Sequence, residues 1–145
     1  MYKNIEDFIF PSPFFNYESS NIKEYTNNLI FIPTERKNEN NEIEKIPCIF
    51  LNDVNSSNIL IIFHCNGADI FDLVDFISDI SEKENINILL PEYPGYSIYN
   101  KPKSSKICLE NSLIIYDFVL NNIKNITKKN IFVLGRSLGT GPAIY

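Results

Sequence analysis

Four apolar residues, Ile131-Phe132-Val133-Leu134, run without a polar break into Gly135-Arg136-Ser137-Leu138-Gly139. A strand that ends in G-x-S-x-G and resumes as a helix constrains this chain more than any other stretch in it. The turn is too sharp for side chains two residues either side of the serine, which gives Gly135 and Gly139 a steric reason to be there. The serine backbone is strained at such a turn, and its hydroxyl is pushed beyond the carboxyl edge of the sheet, where a substrate reaches it. Ser137 is therefore the candidate nucleophile. The backbone N–H of Leu138, at the start of the following helix, is a candidate donor to a developing oxyanion. A second parse shares these residues: Gly135, Gly139 and Gly141 spell G-x-x-x-G-x-G, a dinucleotide-binding spacing. That turn belongs on the first strand of its fold, with an acidic residue about 20 positions later. Here it follows a late strand, and the sequence given stops at Tyr145.

The preceding residues supply the sheet that such a turn requires. Ile59-Leu60-Ile61-Ile62-Phe63 and Ile86-Asn87-Ile88-Leu89-Leu90 are nearly continuous apolar runs, the mark of strands buried on both faces of a parallel sheet. Strands are expected over 58–64, 86–91 and 130–135, the last as a third buried strand. Ile70, Leu73, Val74, Ile77 and Ile80 recur at helical spacing, as do Leu109, Leu113, Tyr116, Leu120 and Ile123. Helices are expected near 69–83 and 106–125. Strand–helix–strand–helix–strand implies right-handed parallel crossovers with helices on both faces.

Before this core, Asn28–Pro33 and Ile46–Leu51 read as two strands joined through a polar tip at Thr34–Asn41, an antiparallel edge. Alternating prolines in Phe10-Pro11-Ser12-Pro13 predict an extended arm with aromatic anchors. The map is thus one domain: arm 1–27, edge hairpin 28–57 and parallel core 58–145. At 145 residues and 44% hydrophobic, the chain has enough apolar material for one core.

Charge and cysteines narrow the function classes. A net charge of −5 argues against nucleic-acid partners, whose phosphates demand cations. Cys48, Cys65 and Cys108 form no C-x-x-C pair and no His/Cys cluster, so neither a disulfide framework nor a metal site is expected. No cofactor is expected either, and the thiols suit a reduced, cytoplasmic setting. The first ten residues carry Lys3, Glu6 and Asp7 and do not read as a signal peptide. No segment approaches the ~20 apolar residues of a membrane span.

His64-Cys65-Asn66-Gly67 closes the first buried strand, at the edge where α/β sheets carry their chemistry. Its expected part is a second oxyanion donor, the backbone N–H of Asn66. His64 is the single histidine. With a nucleophile on this kind of turn the base comes later in the chain, so His64 is expected to hold the loop in shape. Cys65 has no basic neighbour but His64 to depress its pKa, and it is not expected to act as a nucleophile.

Three patches, His64-Cys65-Asn66-Gly67-Ala68, Pro91-Glu92-Tyr93-Pro94-Gly95-Tyr96 and Gly135-Arg136-Ser137-Leu138-Gly139-Thr140-Gly141-Pro142, together resemble the α/β-hydrolase superfamily. Within it they look like the branch of α/β-hydrolase-domain proteins that includes the protein depalmitoylases, whose N-terminal arm Phe10-Pro11-Ser12-Pro13 is also similar to. The resemblance implies a partial α/β-hydrolase fold, mostly parallel with an antiparallel N-terminal edge. It implies a serine hydrolase of ester or thioester bonds, with an acylated small molecule, lipid or protein as substrate and peripheral membrane contact open to it.

Two residues depart from that branch's pattern. Cys65 and Ser97 stand where it has glycine, which tightens the backbone near the site. No cysteine precedes Cys48, so the branch's N-terminal palmitoylation cluster has no counterpart. The family places its acid and catalytic histidine after the elbow, whereas this sequence stops eight residues past Ser137. The expectation is the N-terminal half of a hydrolase, truncated after the elbow. The alternative is a catalytically inactive fragment or binding module, with a dinucleotide-binding domain third.

Overall fold

A computed structural model describes residues 5–10, 27–52 and 55–145. Strands β1 (Leu29–Lys37) and β2 (Ile43–Leu51) pair antiparallel, in register from Leu29 opposite Ile49 to Pro33 opposite Lys45, and a bulge between Pro33 and Lys37 then shifts the register so that Lys37 lies opposite Ile43. The hairpin is longer than its apolar residues suggest, because Thr34–Lys37 continues the strand instead of forming the tip. Thr34 is buried, its Oγ1 donating to the Glu44 carbonyl at 3.0 Å, and Arg36 Nε reaches Glu44 Oε2 at 3.2 Å. Among the described residues β1 has a partner on one side only, so it can carry polar outward side chains and Pro33 without losing a ladder bond.

The core follows as β3 (Ile59–Phe63), α2 (Val74–Glu84), β4 (Asn87–Pro91), α3 (Ser105–Asn122) and β5 (Ile131–Gly135). The five-stranded sheet has the order β1-β2-β4-β3-β5. β4 runs antiparallel to β2 and parallel to β3, which is parallel to β5 in turn. Strand alternation sorts the side chains into two cores. Ile59, Ile61, Phe63 and Leu89 pack with Cys108, Ile115 and Val119 of α3. On the other face Ile49, Ile62, Ile88 and Leu90 pack with Ile70 and with Val74 and Ile77 of α2. Helices therefore cover both faces.

Three further elements differ from the sequence expectations. α2 begins at Val74 instead of residue 69. Asp69 Oδ1 accepts from the N–H groups of Phe71 and Asp72, while Asp69 N–H donates to Asp72 Oδ2, and this reciprocal turn satisfies the backbone that a helix would have used. Residues Ile5–Ile9 form a short helix, α1, where an extended arm was expected; the prolines at 11 and 13 lie outside the described residues. Glu6 fixes α1 in place, its carboxylate accepting from Ser105 N (3.0 Å) and Oγ (2.8 Å) at the positive end of α3. Finally, β5 is not a buried strand. Among the described residues it pairs with β3 alone, and Phe132, Val133 and Leu134 are 50%, 44% and 41% exposed.

Candidate active site

The connections out of β3 and β4 reverse direction. β3 passes to β4 on one side, and β4 then crosses back over β3 to β5 on the other. Such a reversal opens a crevice at the carboxyl ends of the two strands that flank it, here β3 and β5. Phe63 pairs with Gly135 in register, so the loop His64–Gly67 and Ser137 leave the sheet side by side.

Ser137 has φ 52°, a left-handed conformation that costs a side-chain-bearing residue roughly 1–2 kcal/mol. It is held there from both sides. Arg136 N–H donates to the Phe63 carbonyl at 3.0 Å, Gly139 N–H to the Arg136 carbonyl at 2.9 Å, and Thr140 Oγ1 to the Ser137 carbonyl at 2.7 Å. The two flanking glycines are sterically required. A Cβ on Gly135 would overlap the Gly139 carbonyl oxygen and sit 2.7 Å from Ala143 Cβ. One on Gly139 would overlap the Phe63 carbonyl oxygen and sit 2.8 Å from that of His64. Gly141 has nothing within 4 Å of where its Cβ would be, so packing demands only the two glycines that flank the serine. Leu138 lies in the short 3-10 turn Ser137–Gly139, just before the helix α4 (Thr140–Ile144), and packs against the core.

The neighbouring loop is held by side chains from β4's carboxyl end. Asn66 Oδ1 accepts from the Tyr96 hydroxyl at 2.6 Å, and its Nδ2 donates to the Ile9 carbonyl at 2.9 Å. Gly67 follows at φ 86°. His64 is buried, its ring 4.1 Å from that of Tyr93 and its carbonyl accepting the Tyr93 hydroxyl at 2.8 Å. Both ring nitrogens are engaged: Nδ1 with the Cys65 carbonyl at 3.0 Å, Nε2 with Glu92 Oε1 at 3.0 Å. The first contact requires a proton on Nδ1, since a carbonyl only accepts. Neither nitrogen is left to take a proton from Ser137.

Glu92, Tyr93 and Tyr96 were not singled out as site residues from sequence. The legible signal was Glu92 itself, a carboxylate placed directly after five buried strand residues. Burial also pushes the Tyr93 phenol up, which keeps it a donor. Of the two glycine replacements, Ser97 adopts φ 43° whereas Cys65 has no positive φ. Only the serine occupies a backbone that favours glycine. No cluster of potential metal ligands occurs among the described residues, and no helix among them is long and apolar enough to cross a membrane.

Similarity to known proteins agrees with this geometry. A protein of Acanthamoeba polyphaga mimivirus that carries the provisional name alpha/beta hydrolase L404 is 28% identical over 146 residues, covering 97% of this chain and 53% of the relative. The esterase Pf2001 of Pyrococcus furiosus superposes with a TM-score of 0.58 at 18% identity over 93% of this chain and 48% of that one. A second crystal form of the same esterase gives 0.57 at 17% identity. This chain has a partial α/β-hydrolase fold. No protein-family model matches it. The chain spans about half the length of the relative and of the solved esterase.

Proposed function

We propose that Ser137 is the nucleophile of a serine hydrolase acting on acyl ester or thioester bonds. Its oxygen attacks the carbonyl carbon, and the electron pair displaced onto the carbonyl oxygen is held by the backbone N–H groups of Leu138 and Asn66. Collapse expels the alcohol or thiol and leaves the acyl group on Ser137, from which water releases it. The substrate is an acylated small molecule, lipid or protein. The observation that carries the reading is a serine at φ 52° between two glycines whose Cβ atoms would have no room, beside the end of β3.

A serine hydroxyl is a weak nucleophile without a base. His64, the one histidine of the chain, has both nitrogens committed. We therefore place the general base and its acid partner in polypeptide beyond these 145 residues, and take the 145-residue hydrolase domain to be inactive by itself. Losing the base from a triad costs a factor of about 10⁶ in turnover.

Labelling with a fluorophosphonate tests both statements. The 145-residue chain should label negligibly. A chain extended to the length of the mimivirus relative should label at Ser137, and the signal should vanish in Ser137→Ala. Absence of labelling in the extended chain would overturn the nucleophile assignment. Labelling of the short chain that is lost in both Ser137→Ala and His64→Ala would make His64 the base.

A further inference from the structure

We propose that Glu92 is a positioning residue that closes the loop 64–70 into a fixed shape by binding both of its ends. The proposal rests on reading that loop as a donor of the oxyanion hydrogen bond. At the loop's start, Glu92 Oε1 meets His64 Nε2 at 3.0 Å. At its far end, Glu92 Oε2 accepts from Ile70 N–H at 3.2 Å. Oε1 accepts in addition from Tyr93 N–H at 2.9 Å, which orients the carboxylate on its own strand end. One side chain on β4 thus spans a loop that leaves β3. Asn66, the proposed donor, lies between the two tied points.

The proton count makes the arrangement specific. With Nδ1–H donating to Cys65, the contact between Nε2 and Oε1 needs one further proton, on the ring or on the carboxyl. Either placement leaves the pair electrically neutral overall, so it sits fully buried without an uncompensated charge. A glutamine cannot take over. Glu92 accepts backbone N–H groups on both oxygens, and an amide has one oxygen. Whichever way the amide is turned, its NH₂ faces either Ile70 N–H or Tyr93 N–H.

The test uses the 145-residue chain, and its single histidine gives one imidazole to follow by ¹H–¹⁵N correlation. In the wild type the Nδ1–H proton should exchange slowly and the Ile70 amide should be protected. In Glu92→Gln the amide that the NH₂ comes to face, that of Ile70 or that of Tyr93, should exchange at least about tenfold faster, as follows from loss of a hydrogen bond to a charged group. Amides of α3 should keep their protection, which a general loss of stability would not allow. Should Glu92→Gln not fold, the wild-type imidazole signal still decides, since a fast-exchanging Nδ1–H overturns the proposal. Unchanged protection of both the Ile70 and the Tyr93 amide in Glu92→Gln overturns it as well. If the loop behaves as stated but the extended chain does not label at Ser137, the pin stands and only the nucleophile reading falls.

Discussion

Gly139 lies so close to the end of β3 that a Cβ on it would overlap the Phe63 carbonyl oxygen and come within 2.5 Å of the carbonyl carbon. The contact is backbone against backbone, and that carbonyl already accepts Arg136 N–H. No side chain can turn aside to relieve it. Gly139→Ala should therefore destabilise the chain by about 3 kcal/mol or more, the upper range for forced overpacking. Gly141→Ala is the control, with open space around its Cβ position, and should change little. Urea unfolding of the two variants checks the contrast. Equal midpoints would mean that the elbow is not packed on β3 as described.

Ser97 carries two costs that a glycine would remove. Its φ of 43° is a left-handed backbone, and its Oγ is buried without a hydrogen-bond partner among the described residues. Ser97→Gly gains the strain and desolvation terms and loses some to the greater freedom of glycine in the unfolded chain, for a net stabilisation of about 1 kcal/mol. A rise in the urea midpoint with an unchanged slope is the expected result.

Asp69 gives the fold a pH dependence. Burial pushes its carboxyl from an ordinary 3.8 up to about 7, opposed by hydrogen bonds from Asp72 and Phe71 N–H and reinforced by the charges of Glu92 and Asp72. Between those two values the folded state holds the proton more tightly than the unfolded chain. This contribution is fully present below pH 4 and is lost as pH rises through 7. Asp69→Asn keeps an oxygen for Phe71 and Asp72 N–H but cannot ionise. It should flatten the fall in stability between pH 4 and 7, read from denaturation midpoints across that range.

The three core strands were legible because a parallel strand covered on both faces leaves an unbroken apolar run, and 59–63 and 87–91 have that cover. The same signal misled at β5, since an apolar run records what the side chains are suited to and not whether anything lies over them. Thr34–Lys37 failed in the other direction: an edge strand can be polar, and its pairing rests on Glu44 across the hairpin. The elbow was legible in its glycines and serine because the turn's sterics act within five residues. The Glu92–His64 pair was not, because it joins residues 28 apart through a register that appears only once β3 and β4 lie side by side.

Exposure of β5 has a consequence for the chain in solution. In the 145-residue chain the edge of β5 that no described strand pairs, with Phe132, Val133 and Leu134 exposed beside it, is a template for association with another strand. Phe132→Lys places a charge beside that edge at a side chain that is half exposed. It should lower self-association, seen by light scattering over a concentration series, and leave the unfolding midpoint within about 0.5 kcal/mol of wild type. Unchanged association would mean that another surface is responsible.

Strain at Ser137 can be measured apart from any chemistry. Ser137→Ala removes the hydroxyl but keeps a Cβ at φ 52°, whereas Ser137→Gly removes both. If the turn stores strain, the glycine variant should be the more stable of the two. The left-handed backbone costs an alanine roughly 1–2 kcal/mol, and the added freedom of glycine in the unfolded state takes back about 0.4–1 kcal/mol. The expected net difference is about 0.5–1 kcal/mol in favour of glycine, within reach of paired urea titrations. Both variants should be silent to a fluorophosphonate in the extended chain, so the comparison separates the backbone's contribution from that of the hydroxyl. An alanine variant as stable as the glycine one would show that the turn relaxes once the hydroxyl is gone. Positive φ would then be a property of Ser137 and its hydrogen bonds, not of the packing between Gly135, Gly139 and the end of β3.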